Sequence, residues 1–226
     1  MRILVGLGNP GAKYERTRHN LGFRIARLAA EKLGVELDQT RWNAVLGTGR
    51  ARGEQVAIVL PQTFMNLSGE SVGHAVRFWK VDLAELVVAH DDLDLSLGRV
   101  QVKMGGGDGG HNGLKSLRQY LRGHHRMVSL KGEAVPDFVR VRAGIGRPPQ
   151  GWDPADFVLA RFGEEEEKVA EEMVPIAAEA AVAALLEGAK AAMNRFNRRP
   201  KEAGGEKGEE VAVDLAGGGT SGKPKR

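Results

Sequence analysis

Six short apolar runs, at 3–7, 44–50, 56–61, 85–90, 99–104 and 139–146, are rich in β-branched residues and bounded by Gly, Pro or Asp, the pattern of strands. Helical patterns separate them. Residues 21–34 place Leu21, Ile25, Leu28 and Ala29 on one stripe, 68–80 follow the third run, 111–122 follow a glycine loop, and an alanine-rich stretch fills 163–198. Pro175 is expected to start a helix or to kink that last one. Such alternation specifies an α/β fold: a single domain over residues 1–200 with a mixed, largely parallel central sheet flanked by helices. No internal repeat interrupts it. Residues 201–226 contain seven glycines, balanced charges and few apolar residues, so they are expected to form a disordered tail outside the fold.

The chain has no cysteine, which removes thiolate nucleophiles, disulfides and cysteine metal sites from the chemistry available to it. No run approaches the ~20 apolar residues that span a bilayer, and the start MRILVGLGNPG is too short an apolar stretch for a signal peptide. A soluble, cytoplasmic protein with no membrane partner is expected, in which Asn66-Leu67-Ser68 is never glycosylated. Charge is uneven. Residues 98–147 hold ten Lys/Arg against three acids, whereas 161–200 balance at −2. Two readings fit: a face for a polyanion, or a solvated surface with chance clusters.

Four loops carry residues suited to chemistry. Gly6-Leu7-Gly8-Asn9-Pro10-Gly11 matches a dinucleotide fingerprint, but Pro10 and the polar stretch after it delay the helix, and no acid stands ~20 residues on to hold a ribose. Nicotinamide dinucleotide binding is therefore rejected. What the loop offers is Asn9, at a carboxyl strand end, with His19-Asn20 opening the next helix. His90-Asp91-Asp92-Leu93-Asp94 closes the fourth run; its acids lack the spacing of a calcium loop, while one of them could hold a histidine in a single tautomer. Sequence alone does not bring His19 to Asp91. Five glycines within 105–110 cost backbone entropy, so that segment is either a ligand-cradling loop or a flexible lid. It lacks the Gly-Lys-Ser/Thr of a nucleotide loop, and Lys103, Lys115 and Arg118 beside it suit phosphates. Finally, Phe64, Met65 and Asn66 in the loop after the third run are either core plugs or the walls of a soft apolar pocket.

Together the segments VGLGNPGAKYERTRHNLG, PQTFMNLSG, VAHDDLDLSLG and MGGGDGGHNGLKSL, in that order, resemble the bacterial peptidyl-tRNA hydrolase family over roughly residues 1–197. The resemblance implies a monomeric α/β enzyme that hydrolyses the ester between a peptide and the 3′ end of tRNA, with no metal and no nucleotide cofactor. By matching position it implies that His19 activates water and Asp91 orients it, and that Asn9 or Asn112 positions the water or carbonyl. Asn66 would hold the peptide backbone, with Tyr14, Phe64 and Met65 lining the peptide pocket. Gly110 and His111 would form the rim under the tRNA acceptor end, and Lys103 and Arg142 would clamp a terminal phosphate. A neutral imidazole base loses activity as pH falls through its pKa, ordinarily ~6.5. The chain departs from the family in three places: Asp108 stands where histidine is common, 123–137 is long, and the tail has no counterpart. A non-catalytic RNA-binding relative is the competing reading, disfavoured by the joint presence of His19, Asp91 and the three asparagines.

Overall fold

A computed structural model describes residues 1–122, 127–128, 135–136 and 138–198. The tail expected at 201–226 and most of the 123–137 extension lie outside the described residues.

The chain runs β1 (Arg2–Gly6), α1 (Leu21–Leu33), β2 (Gln39–Arg41), β3 (Ala44–Ala51), β4 (Glu54–Pro61), α2 (Ser68–Trp79), β5 (Leu86–Asp92), β6 (Val100–Met104), α3 (Asn112–Tyr120), β7 (Met127–Val128), β8 (Val135–Pro136), β9 (Val139–Gly144), α4 (Pro154–Leu159), α5 (Glu164–Glu187) and α6 (Ala189–Phe196). Among the described residues these strands form a seven-stranded sheet ordered β2-β3-β4-β1-β5-β9-β6, with β7 and β8 paired separately. The centre, β4-β1-β5-β9, is parallel; β2, β3 and β6 are antiparallel at the flanks. Both faces of the central strands are covered, which is why they read as continuous apolar runs rather than as alternation. Leu4, Ile58, Val87 and Ala89 pack with α1 and α5 on one face. Ile3, Val5, Val59, Val88 and Phe138 pack with α2 and α3 on the other.

This topology decides where a ligand can sit. Strand β4 lies on one side of β1 and β5 on the other, and successive connections leave β1 and β4 for opposite faces, so the carboxyl ends of β1 and β4 border an open crevice, with the end of β5 beside it. The helices at 21–33, 68–79 and 112–120 fall where their periodicity predicts. Pro175 starts no helix of its own: α5 continues through it, and the segment is divided instead at Gly188, whose φ of 89° only glycine adopts readily. Strand β2 and helix α4 are among the elements that go unread in the sequence. Strand β2 is three exposed polar residues, with no alternation to betray it. Helix α4 spans only six residues, although Asp153 as cap and Pro154 at its first position mark its start.

Candidate active site

Glycine brings the first catalytic candidate into the crevice. Leu7 N–H donates to Ala89 O at 3.0 Å, extending the β1–β5 ladder by one residue. Gly22, in the first turn of α1, sits directly on this junction: a Cβ there would lie 2.4 Å from both Ala89 O and Leu7 O. Only a bare α-carbon lets the helix descend far enough to set the turn Arg18–Asn20 over the end of β5. Gly22→Ala is expected to cost about 1–3 kcal/mol by overpacking, read as a lower Tm together with reduced activity. Unchanged Tm and activity would refute this account of how His19 is placed.

The result of that descent is a buried pair. His19 Nδ1 lies 3.0 and 3.1 Å from the two carboxylate oxygens of Asp91, and the residues are 6% and 2% exposed. His111 supplies a second partner, its Nε2 lying 3.1 Å from Asp91 Oδ1. Its other nitrogen, Nδ1, accepts from the backbone N–H groups of Gly113 and Leu114 at 3.1 and 3.4 Å and so caps α3. An Nδ1 that accepts leaves the proton on Nε2, so His111 is a fixed donor to Asp91. With Asp91 ionised, His19 likewise donates through Nδ1, which leaves its Nε2 lone pair facing outward.

Burial alone would depress the His19 pKa, but the charge of Asp91 and its hydrogen bond outweigh burial and raise it above 6.5. Burial likewise opposes ionisation of Asp91; the adjoining His19 and His111 overcome it and hold the carboxyl well below the usual range. His90 behaves oppositely. Its Nδ1–H donates to Asp91 O at 2.6 Å, and burial, with His111 next to it, pushes its pKa down to about 3. It is a neutral ring beneath the pair.

His19, Asp91 and His111 are the one described group whose ligand atoms are close enough to consider for a metal, lying within 4.8 Å of one another. The donor set does not suit one. A metal on His111 Nε2 would need that proton removed while Nδ1 still accepts two N–H bonds, giving either an imidazolate or an uncapped helix.

The asparagines divide by what holds them. Asn9 is locked: its N–H donates to Asn20 Oδ1 at 2.8 Å, its carbonyl accepts from Asn20 Nδ2 at 2.9 Å, and its Oδ1 accepts Met65 N–H at 2.8 Å. With Oδ1 engaged, Asn9 presents Nδ2 donors rather than an acceptor. Asn20 was visible beside His19 in the sequence without a role; its reciprocal bonds to the Asn9 backbone supply one. Asn66 and Asn112 are exposed.

Two cavities meet at His19. One, about 390 Å³, is lined by Asn9, Tyr14, Phe64, Met65 and Asn66 on the β4 side. The other, about 430 Å³, runs along Asp92, Leu93, Gly110 and His111 on the β9 side. Both also touch Asn112, Ala155 and Val158, so the unforeseen α4 forms a common wall. The alternatives for the 62–67 loop resolve residue by residue. Phe64 is 56% exposed and meets Tyr14 edge to face at 6.5 Å, while Met65 is a core plug at 4%, seated against the α-carbon of Gly113. Lys103 is exposed, its ammonium beside Gly106. Arg142 donates Nε–H to Asp92 Oδ2 at 2.7 Å and also bonds Gln101, so its guanidinium is engaged within the sheet edge. Asp108 pairs with Arg118 at 2.9 Å and accepts from Gly110 N–H at 3.1 Å. Arg118 thus stabilises the glycine loop.

A family model described as peptidyl-tRNA hydrolase matches residues 3–204. Peptidyl-tRNA hydrolases of Anaeromyxobacter sp. (strain K) and Caldanaerobacter subterraneus subsp. tengcongensis are 46% identical over 203 residues and 43% identical over 197, covering 90% and 87% of this chain and 100% of each relative. The crystal structure of the Acinetobacter baumannii peptidyl-tRNA hydrolase superposes with a TM-score of 0.76 at 32% identity, covering 87% of this chain and 94% of that one. The match runs from β1 into the residues after α6 and takes in every loop around the crevice, and on that evidence the chain belongs to the peptidyl-tRNA hydrolase family.

Proposed function

We propose that this protein hydrolyses the ester joining a peptide to the 3′ end of tRNA, acting as a cytoplasmic monomer without metal or nucleotide cofactor, and that residues 1–200 form the catalytic unit. The observation that carries the mechanism is the orientation of His19: Nδ1 committed to Asp91, Nε2 directed to where two cavities meet. A water there gives its proton to Nε2 as its oxygen attacks the ester carbonyl. Asp91 stabilises the imidazolium that forms. Asn9, fixed as a donor by Met65, is placed to hydrogen-bond the developing oxyanion, and Asn112 orients the water. The tetrahedral intermediate then collapses, His19 returns the proton to the departing ribose oxygen, and free tRNA and peptide acid result. Asn66, Tyr14, Phe64 and Met65 suit the peptide cavity; Gly110, His111 and Lys103 suit the acceptor end, with Lys103 meeting phosphate. Arg142 would join that clamp only by exchanging Asp92 for the phosphate.

Hydrolysis of an N-acetylaminoacyl-tRNA beside its free-amine counterpart, with EDTA present, tests this reading. Selective, chelator-insensitive release is expected. Tight tRNA binding without release would leave an RNA-binding protein in its place.

The raised pKa of His19 gives a second expectation. The base is lost as pH falls through that pKa, so the acid limb of kcat/KM has its midpoint above 6.5. A limb at or below 6.5 would show that another group limits the rate.

A further inference from the structure

Arg140 is 4% exposed, and among the described residues it has no ion pair. Burying a cation costs several kcal/mol unless strong partners compensate. Here the partners are two carbonyls: one guanidinium nitrogen donates to Gly107 O, the other to Gly106 O, while Nε has none. The guanidinium also lies 5.2 Å from the ring centroid of Phe138, whose own carbonyl accepts Gly105 N–H at 3.0 Å. Register sets this up, because Arg140 on β9 faces Lys103 on β6 and so lies under the loop that β6 feeds.

That loop needs support. Gly105, Gly106, Gly109 and Gly110 all have positive φ, from 59° to 98°, a backbone with little intrinsic preference for one shape. Its entry is tied by Gly105 to Phe138, and its exit by Asp108, which accepts from Gly110 N–H and whose carbonyl accepts His111 N–H at 3.0 Å. Arg140 supplies the tie between them. The next residues are His111, the donor to Asp91, and Asn112, which borders both cavities.

We propose that Arg140 is a positioning residue for the reaction: by holding the Gly106 and Gly107 carbonyls from inside the sheet, it sets the height of the glycine loop and thereby the His111–Asp91 bond and the place of Asn112. The proposal rests on the esterase reading for its kinetic consequence. A lysine cannot replace the function, because one ammonium lacks the planar fork that reaches two carbonyls in fixed geometry.

The test compares Arg140→Lys and Arg140→Ala in the full chain, using N-acetylaminoacyl-tRNA and NMR of ¹⁵N-labelled histidine. In Arg140→Lys, kcat is expected to fall about 10²-fold, as for a misplacement of about 1 Å, with KM little changed. The exchange-protected Nε2–H signal of His111 should be lost as well. In Arg140→Ala, millimolar guanidinium, but not methylammonium, should restore much of the lost kcat. A folded Arg140→Lys that keeps both kcat and the ring signal overturns the proposal. So does a rise in KM alone, which would make Arg140 a direct phosphate ligand. If Arg140→Ala does not fold, the lysine variant still decides. If the wild type releases nothing, the esterase reading fails, while the ring signal still reports on Arg140.

Discussion

Replacing His19 by alanine is expected to lower the single-turnover rate on N-acetylaminoacyl-tRNA by about 10²–10⁴-fold, the usual worth of a positioned general base. Binding of tRNA should persist, because His19 is 6% exposed and offers little surface to the cavities it borders. The substitution also leaves Asp91 with His111 as its remaining side-chain donor, so some stability is lost, about 1–3 kcal/mol for a buried acceptor deprived of a partner. Rate and binding must therefore be read well below the Tm of the variant. His111→Ala makes the useful contrast. It removes a donor from the same carboxylate and uncaps α3, which costs about 1 kcal/mol, yet it leaves the base in place, so its rate should exceed that of His19→Ala. Equal rates for His19→Ala and wild type would remove His19 from the mechanism.

Much of this arrangement is legible in the sequence, because apolar periodicity reports burial and burial defines the layers. The stripe Leu21-Ile25-Ala29 marks α1, and runs such as 56–61 and 85–90 mark strands covered on both faces. Loops at carboxyl strand ends follow from those strands. What the sequence does not contain is distance. His19 and Asp91 stand 72 positions apart, and their meeting depends on the parallel pairing of β1 with β5 and on the absence of a side chain at Gly22. The roles of Asn20 and Arg140 are hidden for a different reason: their partners are backbone carbonyls and amides, which every residue carries. A buried arginine between two valines on a strand reads as one more surface charge on an edge until the loop it supports is in view. Met65 shows the converse limit, since an apolar residue in a loop fits a core plug or a pocket wall equally well, and here it is packed as the former while bordering the cavity.

Asp91→Asn should be more damaging than Asp91→Ala, although it removes less. Asp91 Oδ1 accepts from both His19 and His111, and the carboxylate has lone pairs for both. An asparagine keeps one acceptor oxygen and puts an NH₂ donor where the second stood. His111 cannot yield its place, because Nδ1 is occupied as the acceptor for Gly113 and Leu114 N–H and its proton stays on Nε2. With the asparagine oxygen held by His111, the NH₂ group takes the Oδ2 position, 3.1 Å from His19 Nδ1, where an Nδ1–H would oppose it donor to donor, so that His19 Nδ1 accepts. The proton then moves to Nε2, the nitrogen that faces the substrate, and the neutral ring becomes a donor where a base is required. A tautomer error of this kind costs about 10⁴-fold in kcat. Alanine imposes no tautomer. It leaves His19 free to expose an unprotonated Nε2 part of the time, at the cost of a looser ring and an unpaired His111 N–H, so a larger residual rate is expected. Its acid limb should also move. With the charge and hydrogen bond of Asp91 gone and burial remaining, the His19 pKa falls, and the limb shifts below its wild-type position. Measuring kcat/KM against pH for both variants separates these effects. An asparagine variant faster than the alanine variant would mean that Asp91 acts through its charge alone, not by choosing the tautomer of His19.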